Sequence, residues 1–337
     1  MSKTVLITGA NSYVGIFTII KFVKDGYKVR TTMRDSSKFE ETRSMIRKTA
    51  GFSESQASEI EFMEGDLDTG AGWEEAIDGV DYVVHIAYPF INNVPLEQIY
   101  KPAVEGSMNV LKLAIESPTV KHFVFCSSFA TVGFNDEWDD GPEHVITEED
   151  WTKLDSPMID GYMQSKVICE KKMWELVRSD ENLKSKYPIT FNAINPYGIV
   201  GPLPVGFSRF NGIQPILKSI FTGEAEMIFN AFVNTTDVRD LAESFVKAIE
   251  DPKTYDQRFL LLNPEEISVP QMIEMFKKHF PAELTDKYPK ECTPVYFKSR
   301  KVSVDKAVKL LDYKPVSNEE TLIALAKGIY DYLGYKY

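Results

Sequence analysis

Over the first 195 positions, short runs of β-branched and aromatic residues alternate with longer amphipathic stretches, and this alternation constrains the fold more than any other feature. The runs are Lys3 to Thr8, Lys28 to Met33, Ile60 to Glu64, Tyr82 to Ala87, His122 to Ser127 and Thr190 to Asn195. Helical patterns fall between them at about 14–25, 37–49, 71–78, 95–117 and 160–179. Several runs are apolar without interruption, as expected of parallel strands covered on both faces. The expected class is therefore α/β, a doubly wound parallel sheet.

After Pro196 the alternation fades into Gly/Pro-rich sequence (YGIVGPLPVGFSRFNG). We expect residues 1–195 to form the sheet domain, with 233–262 returning to it as the helix TDVRDLAESFVKAIED and the strand RFLLLN. Residues 196–232 and 263–337 would build a smaller C-terminal cap carrying two more helices, SVPQMIEMFKKHF and NEETLIALAKGIYDYL. The acidic, turn-rich stretch from Gly133 to Pro157 reads as a surface excursion with solvated carboxylates.

Charge narrows the partners. With 50 acidic against 38 basic residues, a net charge of -12, the chain lacks the basic face that nucleic acid or an anionic membrane requires. Cys126, Cys169 and Cys292 are odd in number and form no CxxC pair, which argues against a disulfide framework and a thiolate zinc site. The opening MSKTVLITGA has no basic leader and no small-residue cleavage site, and no apolar stretch reaches the roughly 18–20 residues a membrane span needs. A cytoplasmic protein, monomer or homodimer, is expected. His85 lies inside an apolar strand and reads as core; His122, His144 and His279 make no metal spacing with it, so no metal site is expected.

The first strand runs directly into Thr8-Gly9-Ala10-Asn11-Ser12-Tyr13-Val14-Gly15 and an apolar helix. A tight turn there delivers backbone N–H groups and the positive end of a helix to a pyrophosphate. Gly9, Asn11, Ser12, Tyr13 and Val14 are the candidate contacts, with Gly15 allowing helix and strand to approach; Ser12 stands where a glycine is usual. The second strand ends at Met33 rather than at the acidic residue that would accept ribose hydroxyls. Arg34 and Lys38 follow, suited to a 2'-phosphate through a bidentate fork and a point charge, and Asp35 between them is a counter-signal.

Tyr162 and Lys166 stand at i and i+4 of a helical pattern and share one face. A phenol is a poor proton carrier at neutral pH unless a cation stabilises its charged form, which Lys166 is spaced to do. A strand ending in Cys126-Ser127-Ser128 brings hydroxyls to the carboxyl edge of the sheet, where ligands of open α/β folds bind.

Taken together, TGxxxxxG, GDL at Gly65 to Leu67, VVHIA at Val83 to Ala87, FVFCSS at Phe123 to Ser128, YxxxK and NPYGIVGP at Asn195 to Pro202 resemble the extended short-chain dehydrogenase/reductases. YKVRTTMRD at Tyr27 to Asp35 and DVRDLAESFVKAIE at Asp237 to Glu250 are similar to the branch of dihydroflavonol, cinnamoyl-CoA and methylglyoxal or carbonyl reductases. The resemblance covers almost the whole chain. It implies a Rossmann-like fold, NADP(H) as cofactor and a small carbonyl or alcohol as substrate. It also implies roles: Ser128 orients the carbonyl, with Ser127 a rival beside it; Tyr162 donates the proton; Lys166 binds the nicotinamide ribose and tunes the phenol. Asp66 and Leu67 would hold the adenine end, and Ile86, Ala87 and Tyr88 would pass beside the pyrophosphate and ribose. Pro196, Tyr197 and Ile199 would meet the nicotinamide. Phe90, Phe129, Thr131 and Phe207 are candidate substrate contacts, although Phe129, Phe207 and Phe210 read equally well as core of the cap. Ala103 stands where relatives often have asparagine. Two other readings stay open: an NAD-dependent nucleotide-sugar epimerase or dehydratase, and a regulator that senses NADP without turnover.

Overall fold

A computed structural model describes residues 3–91, 94–135, 144–228, 230–294 and 300–337. Seven strands form the central sheet: β1 (Thr4–Thr8), β2 (Lys28–Met33), β3 (Glu61–Glu64), β4 (Tyr82–His85), β5 (His122–Cys126), β6 (Thr190–Pro196) and β7 (Arg258–Leu261). Their order is β7-β6-β5-β4-β1-β2-β3, and every neighbouring pair is parallel. Connections run one way from β1 to β3 and the other way from β4 to β7. The crevice between the carboxyl ends of β1 and β4 is thus the topological switch point, where ligands of such sheets bind.

Strand periodicity divides the core. Val5 and Ile7 face one layer and Leu6 the other, because successive side chains alternate across a strand. The first layer packs α1 (Tyr13–Lys24), through Ile16 and Ile19, and the later helix Val238–Glu250, through Phe245 and Ile249. The second packs α2 (Gly106–Glu116) and α3 (Gly161–Val177), whose Leu111, Ala114, Met173 and Trp174 cover Phe123, Phe125 and Phe191. A third cluster joins α4 (Gln214–Thr222), α5 (Val269–His279) and α6 (Asn318–Leu333) through Leu217, Phe221, Met272, Phe276, Leu325 and Ile329.

The departures from the expected elements have local causes. The helix expected over 95–117 is interrupted by a π-helical turn at Lys101–Glu105, because Pro102 has no N–H to continue an α-helical ladder. The strand expected to reach Ala87 stops at His85, since the N–H groups of Ile86 and Ala87 turn to Thr8 Oγ1, 2.9 Å from each. Short helices at Glu54–Ser58, Gln214–Thr222 and Asp305–Leu311 had no forecast. The first carries a capping box between Ser53 and Gln56 that marks it in the sequence. Within the acidic excursion, residues 136–143 lie outside the described residues. Glu148 is not solvated as expected: it is buried, and its carboxylate accepts from the Leu260 N–H at 3.1 Å. Among the described residues no helix is long and apolar enough to cross a membrane.

Helix α1 starts hard against the end of β1. A Cβ on Gly15 would collide with the Gly9 carbonyl oxygen and lie 2.8 Å from Ser12 Oγ. Gly15→Ala should therefore destabilise the protein by about 1–3 kcal/mol, the usual cost of overpacking a site that cannot yield. A shift of the urea midpoint at unchanged slope would measure it.

Candidate active site

The loop after β1 is built from backbone bonds. Gly9 and Ala10 N–H donate to the Thr32 carbonyl at 3.0 and 2.9 Å, and Gly9 holds φ +82°. A Cβ there would also crowd Ala87 Cα at 3.1 Å, so the ends of β1 and β4 meet only through glycine. Ser12, which replaces a usual glycine, is the N-cap of α1: its Oγ accepts from Gly15 N–H at 2.9 Å and donates to the Gly9 carbonyl at 2.8 Å. The cap leaves the N–H groups of Tyr13 and Val14, first-turn donors with no intrahelical acceptor, at the helix start. Asn11 lies in the loop beside them, half-buried. Such an arrangement suits an anionic diphosphate.

At the end of β2, Met33 is buried and Arg34 is exposed, its guanidinium without an ion-pair partner among the described residues. Asp35 turns away from it. Its carboxylate accepts from Ser37 N–H at 3.1 Å and Ser37 Oγ at 2.6 Å, and lies 3.7 Å from Lys38 Nζ. Asp66, half-buried after β3, accepts from the Asp68 N–H at 2.9 Å, with Leu67 next to it.

Ser128 follows β5 and caps a short 3-10 turn, Phe129–Thr131, its Oγ accepting from Ala130 N–H at 3.1 Å. The hydroxyl proton therefore remains available to another group. Ser127 points the other way and donates to Glu170 Oε2 at 2.5 Å. Tyr162 and Lys166 sit in the first turns of α3, whose N-terminus is capped by Asp160. Burial pushes the Tyr162 phenol above its ordinary range, and the Ser128 side chain opposes that push. Lys166 Nζ donates to the Cys126 carbonyl at 2.8 Å and lies 3.7 Å and 4.6 Å from the ring centres of Tyr88 and Phe125. Burial pushes its pKa down to about 8. Lys166 is not among the groups that act on the phenol in this arrangement.

Aromatic residues frame these groups. Phe90, 43% exposed, packs edge-on against Tyr162 with ring centres 4.8 Å apart, and Tyr88 donates to Ser165 Oγ at 3.0 Å. Phe129 is buried against Tyr197 at 4.7 Å. Tyr197 exchanges bonds with Thr236, donating its N–H at 3.0 Å and accepting at 2.9 Å, which fixes the segment from Pro196 to Ile199 over the site. Phe207 takes the core reading of its two, and Thr131 is placed differently from expectation. Phe207 is buried against Tyr13, ring centres 5.8 Å apart, where it joins the cap to α1. Thr131 is fully buried, with its hydroxyl bonded within the protein. Phe210 packs on Tyr332 at 5.0 Å, and His85 is core as expected, its pKa pushed down to about 3 by burial.

Behind Ser128 lies an ion pair that the sequence reading missed. Arg258 Nε donates to Glu170 Oε1 at 2.6 Å, with Glu170 0% exposed. Arg258 also donates to the carbonyls of Glu148 and Asp150 at 2.6 and 2.8 Å and stacks over Trp151 at 3.7 Å. The signals were present: Glu170 falls one helical turn after Lys166, and Arg258 is a lone charge opening an apolar strand. Arg300 was missed too; its guanidinium lies over Phe134 at 5.3 Å and favours the charged form of Tyr197.

The chain belongs to the NAD dependent epimerase/dehydratase family, which it matches over residues 5–260. It is 26% identical to a dihydroflavonol 4-reductase of Gerbera hybrida over 89% of this chain and 80% of that one. A cinnamoyl-CoA reductase of Medicago truncatula is also 26% identical, over 96% of each. Among solved structures, the yeast methylglyoxal/isovaleraldehyde reductase Gre2 complexed with NADPH superposes with a TM-score of 0.83 at 22% identity, over 99% of this chain and 100% of that one. At that identity the likeness establishes a shared fold.

The depressed Lys166 pKa has a measurable consequence. The unfolded chain holds this proton up to pH ~10.4, the folded chain only to about 8, so between these values the unfolded state binds more protons and stability rises with pH. Lys166→Met removes that contribution. The stability of wild type relative to the variant should increase by up to about 1.4 kcal/mol per pH unit between pH 8 and 10 and stay flat below pH 7, measured by urea unfolding.

Proposed function

We propose that this chain is an NADPH-dependent reductase of aldehydes or ketones, working through Ser128, Tyr162 and Lys166 and reversible as an alcohol dehydrogenase. One observation carries the reading: a half-buried tyrosine faces the hydroxyl proton of a serine, with a buried lysine one turn along the same helix, at the carboxyl edge of a parallel sheet. Gly9, Asn11, Ser12, Tyr13 and Val14 would hold the pyrophosphate, Arg34 and Lys38 the 2'-phosphate, and Asp66 and Leu67 the adenine end. Ile86, Ala87 and Tyr88 would line the diphosphate and ribose, and Pro196, Tyr197 and Ile199 would lie at the nicotinamide. The Gly9 and Gly15 close approaches, the Tyr13 and Val14 N–H groups and the unpaired Arg34 fit such a ligand. When bound, NADPH supplies the hydride.

Ser128 donates a hydrogen bond to the carbonyl oxygen and orients it. Tyr162 delivers a proton to that oxygen as negative charge builds there. Burial keeps the phenol protonated at neutral pH, so it is in the donor form when substrate arrives. Giving the proton up requires a nearby positive charge, and Lys166 is the cation on the same helix face. Residues 196–232 and 263–337 would form the substrate-binding cap, with exposed Phe90 at the entrance beside Tyr162. A panel of methylglyoxal, isovaleraldehyde, a dihydroflavonol and cinnamoyl-CoA, followed by loss of NADPH absorbance, tests the substrate class.

Replacing Arg34 and Lys38 with alanine should raise KM for NADPH roughly ten- to hundredfold, the value of charge-assisted bonds, and leave KM for NADH nearly unchanged. Equal losses with both cofactors would exclude a 2'-phosphate role. Tyr162→Phe should lower kcat at least ~100-fold while NADPH binds as before, because only the proton-donating hydroxyl is removed. Activity within about threefold of wild type would refute the proposed chemistry.

A further inference from the structure

A threonine hydroxyl has one proton and two lone pairs, and at Thr131 all three are committed. Oγ1 donates to the Ser128 carbonyl at 2.9 Å and accepts from Asn195 Nδ2 at 2.8 Å and Arg258 Nη2 at 3.1 Å. With the residue 0% exposed and its hydroxyl saturated, nothing is left for a substrate. The same Ser128 carbonyl also receives Thr131 N–H at 3.0 Å and Asn195 Nδ2 at 3.3 Å, so its peptide is clamped from three directions. Both side chains that donate to Thr131 are bound in turn to Glu170: Asn195 Nδ2 to Oε2 at 2.8 Å, Arg258 Nε to Oε1 at 2.6 Å. Glu170 stands on α3, one turn beyond Lys166 and two beyond Tyr162. A continuous set of short bonds therefore runs from the backbone of Ser128 to the helix that bears Tyr162 and Lys166.

We propose that Thr131 is a positioning residue, which together with the Glu170–Arg258 pair fixes the Ser128 hydroxyl relative to the Tyr162 phenol. The proposal rests on the reductase reading for its catalytic consequence. Apart from the Ala130 N–H on Oγ and the Tyr162 phenol that it faces, Ser128 is held through its backbone. A loop free to shift would therefore carry the hydroxyl with it, and a displacement of about 1 Å can cost on the order of a hundredfold in rate.

Thr131→Val keeps the shape and deletes the hydroxyl; Thr131→Ser keeps the hydroxyl. The valine variant should lose roughly tenfold or more in kcat, with carbonyl KM and NADPH affinity unchanged and the same factor for small and large carbonyls, while the serine variant works as wild type. Arg258→Lys, which keeps a cation beside Glu170 but not the fork that reaches Thr131, should give the same kcat-only loss and serves if the valine variant does not fold. Amide hydrogen exchange over residues 128–132 should accelerate in Thr131→Val and Arg258→Lys and not in Thr131→Ser. A loss confined to KM, a serine variant as poor as the valine one, or unchanged exchange would overturn the proposal. Should wild type oxidise NADPH with no carbonyl of the panel, the reductase reading falls, and the exchange comparison alone decides whether Thr131 holds the loop.

Discussion

The buried ion pair between Glu170 and Arg258 is the interaction on which the candidate site depends. Two charges removed from water are tolerated only when their remaining donors and acceptors are largely met, and here four acceptors surround the guanidinium and four donors the carboxylate. Ser127, Asn195, Trp174 and Arg258 fill the carboxylate, while two carbonyls, Thr131 and the face of Trp151 receive the guanidinium. These partners come from β6, β7, α3, the turn after β5 and the segment around Glu148. Their mutual requirement sets how α3 is rotated against the sheet, and with it where Tyr162 and Lys166 point.

Around that anchor the ionisable groups respond as burial dictates. The Tyr162 phenol is pushed up, the Cys126 thiol up to about 11, His85 down to about 3 and Lys166 down to about 8. Only Lys166 retains charge at neutral pH, held by the Cys126 carbonyl and the faces of two aromatic rings. The end of β2 is the opposite case, with Arg34 in solvent and without an ion-pair partner among the described residues.

The sheet and the segments after β6 are tied by polar contacts as well as by the Phe207–Tyr13 packing. The Tyr13 hydroxyl donates to the Pro202 carbonyl at 3.1 Å, so the helix that follows the Gly9 loop also holds the segment after β6. The buried Asp237 carboxylate accepts from Arg239 at 2.7 Å and from Thr321 of α6 at 2.9 Å.

Much of the fold was legible because its information is local. Strand and helix periods place all seven central strands within two residues of their observed ends, and the TGANSYVG loop and the Tyr162/Lys166 spacing are short-range patterns. The π-helical turn could be anticipated from Pro102, and the Glu54–Ser58 helix from its capping box. What sequence order alone could not determine was which distant residues meet. Glu170 and Arg258 are 88 positions apart, Thr131 and Arg258 127 apart, and nothing local distinguishes a charge that will be buried from one that will be solvated. Which of Ser127 and Ser128 turns inward was likewise decided by tertiary structure, since Glu170 draws one hydroxyl inward and leaves the other facing Tyr162. The sequence by itself determined the parallel sheet, the nucleotide loop and the candidate catalytic residue types; packing across the sheet decided which hydroxyls face the site, because burial and pairing depend on neighbours that only the folded chain brings together.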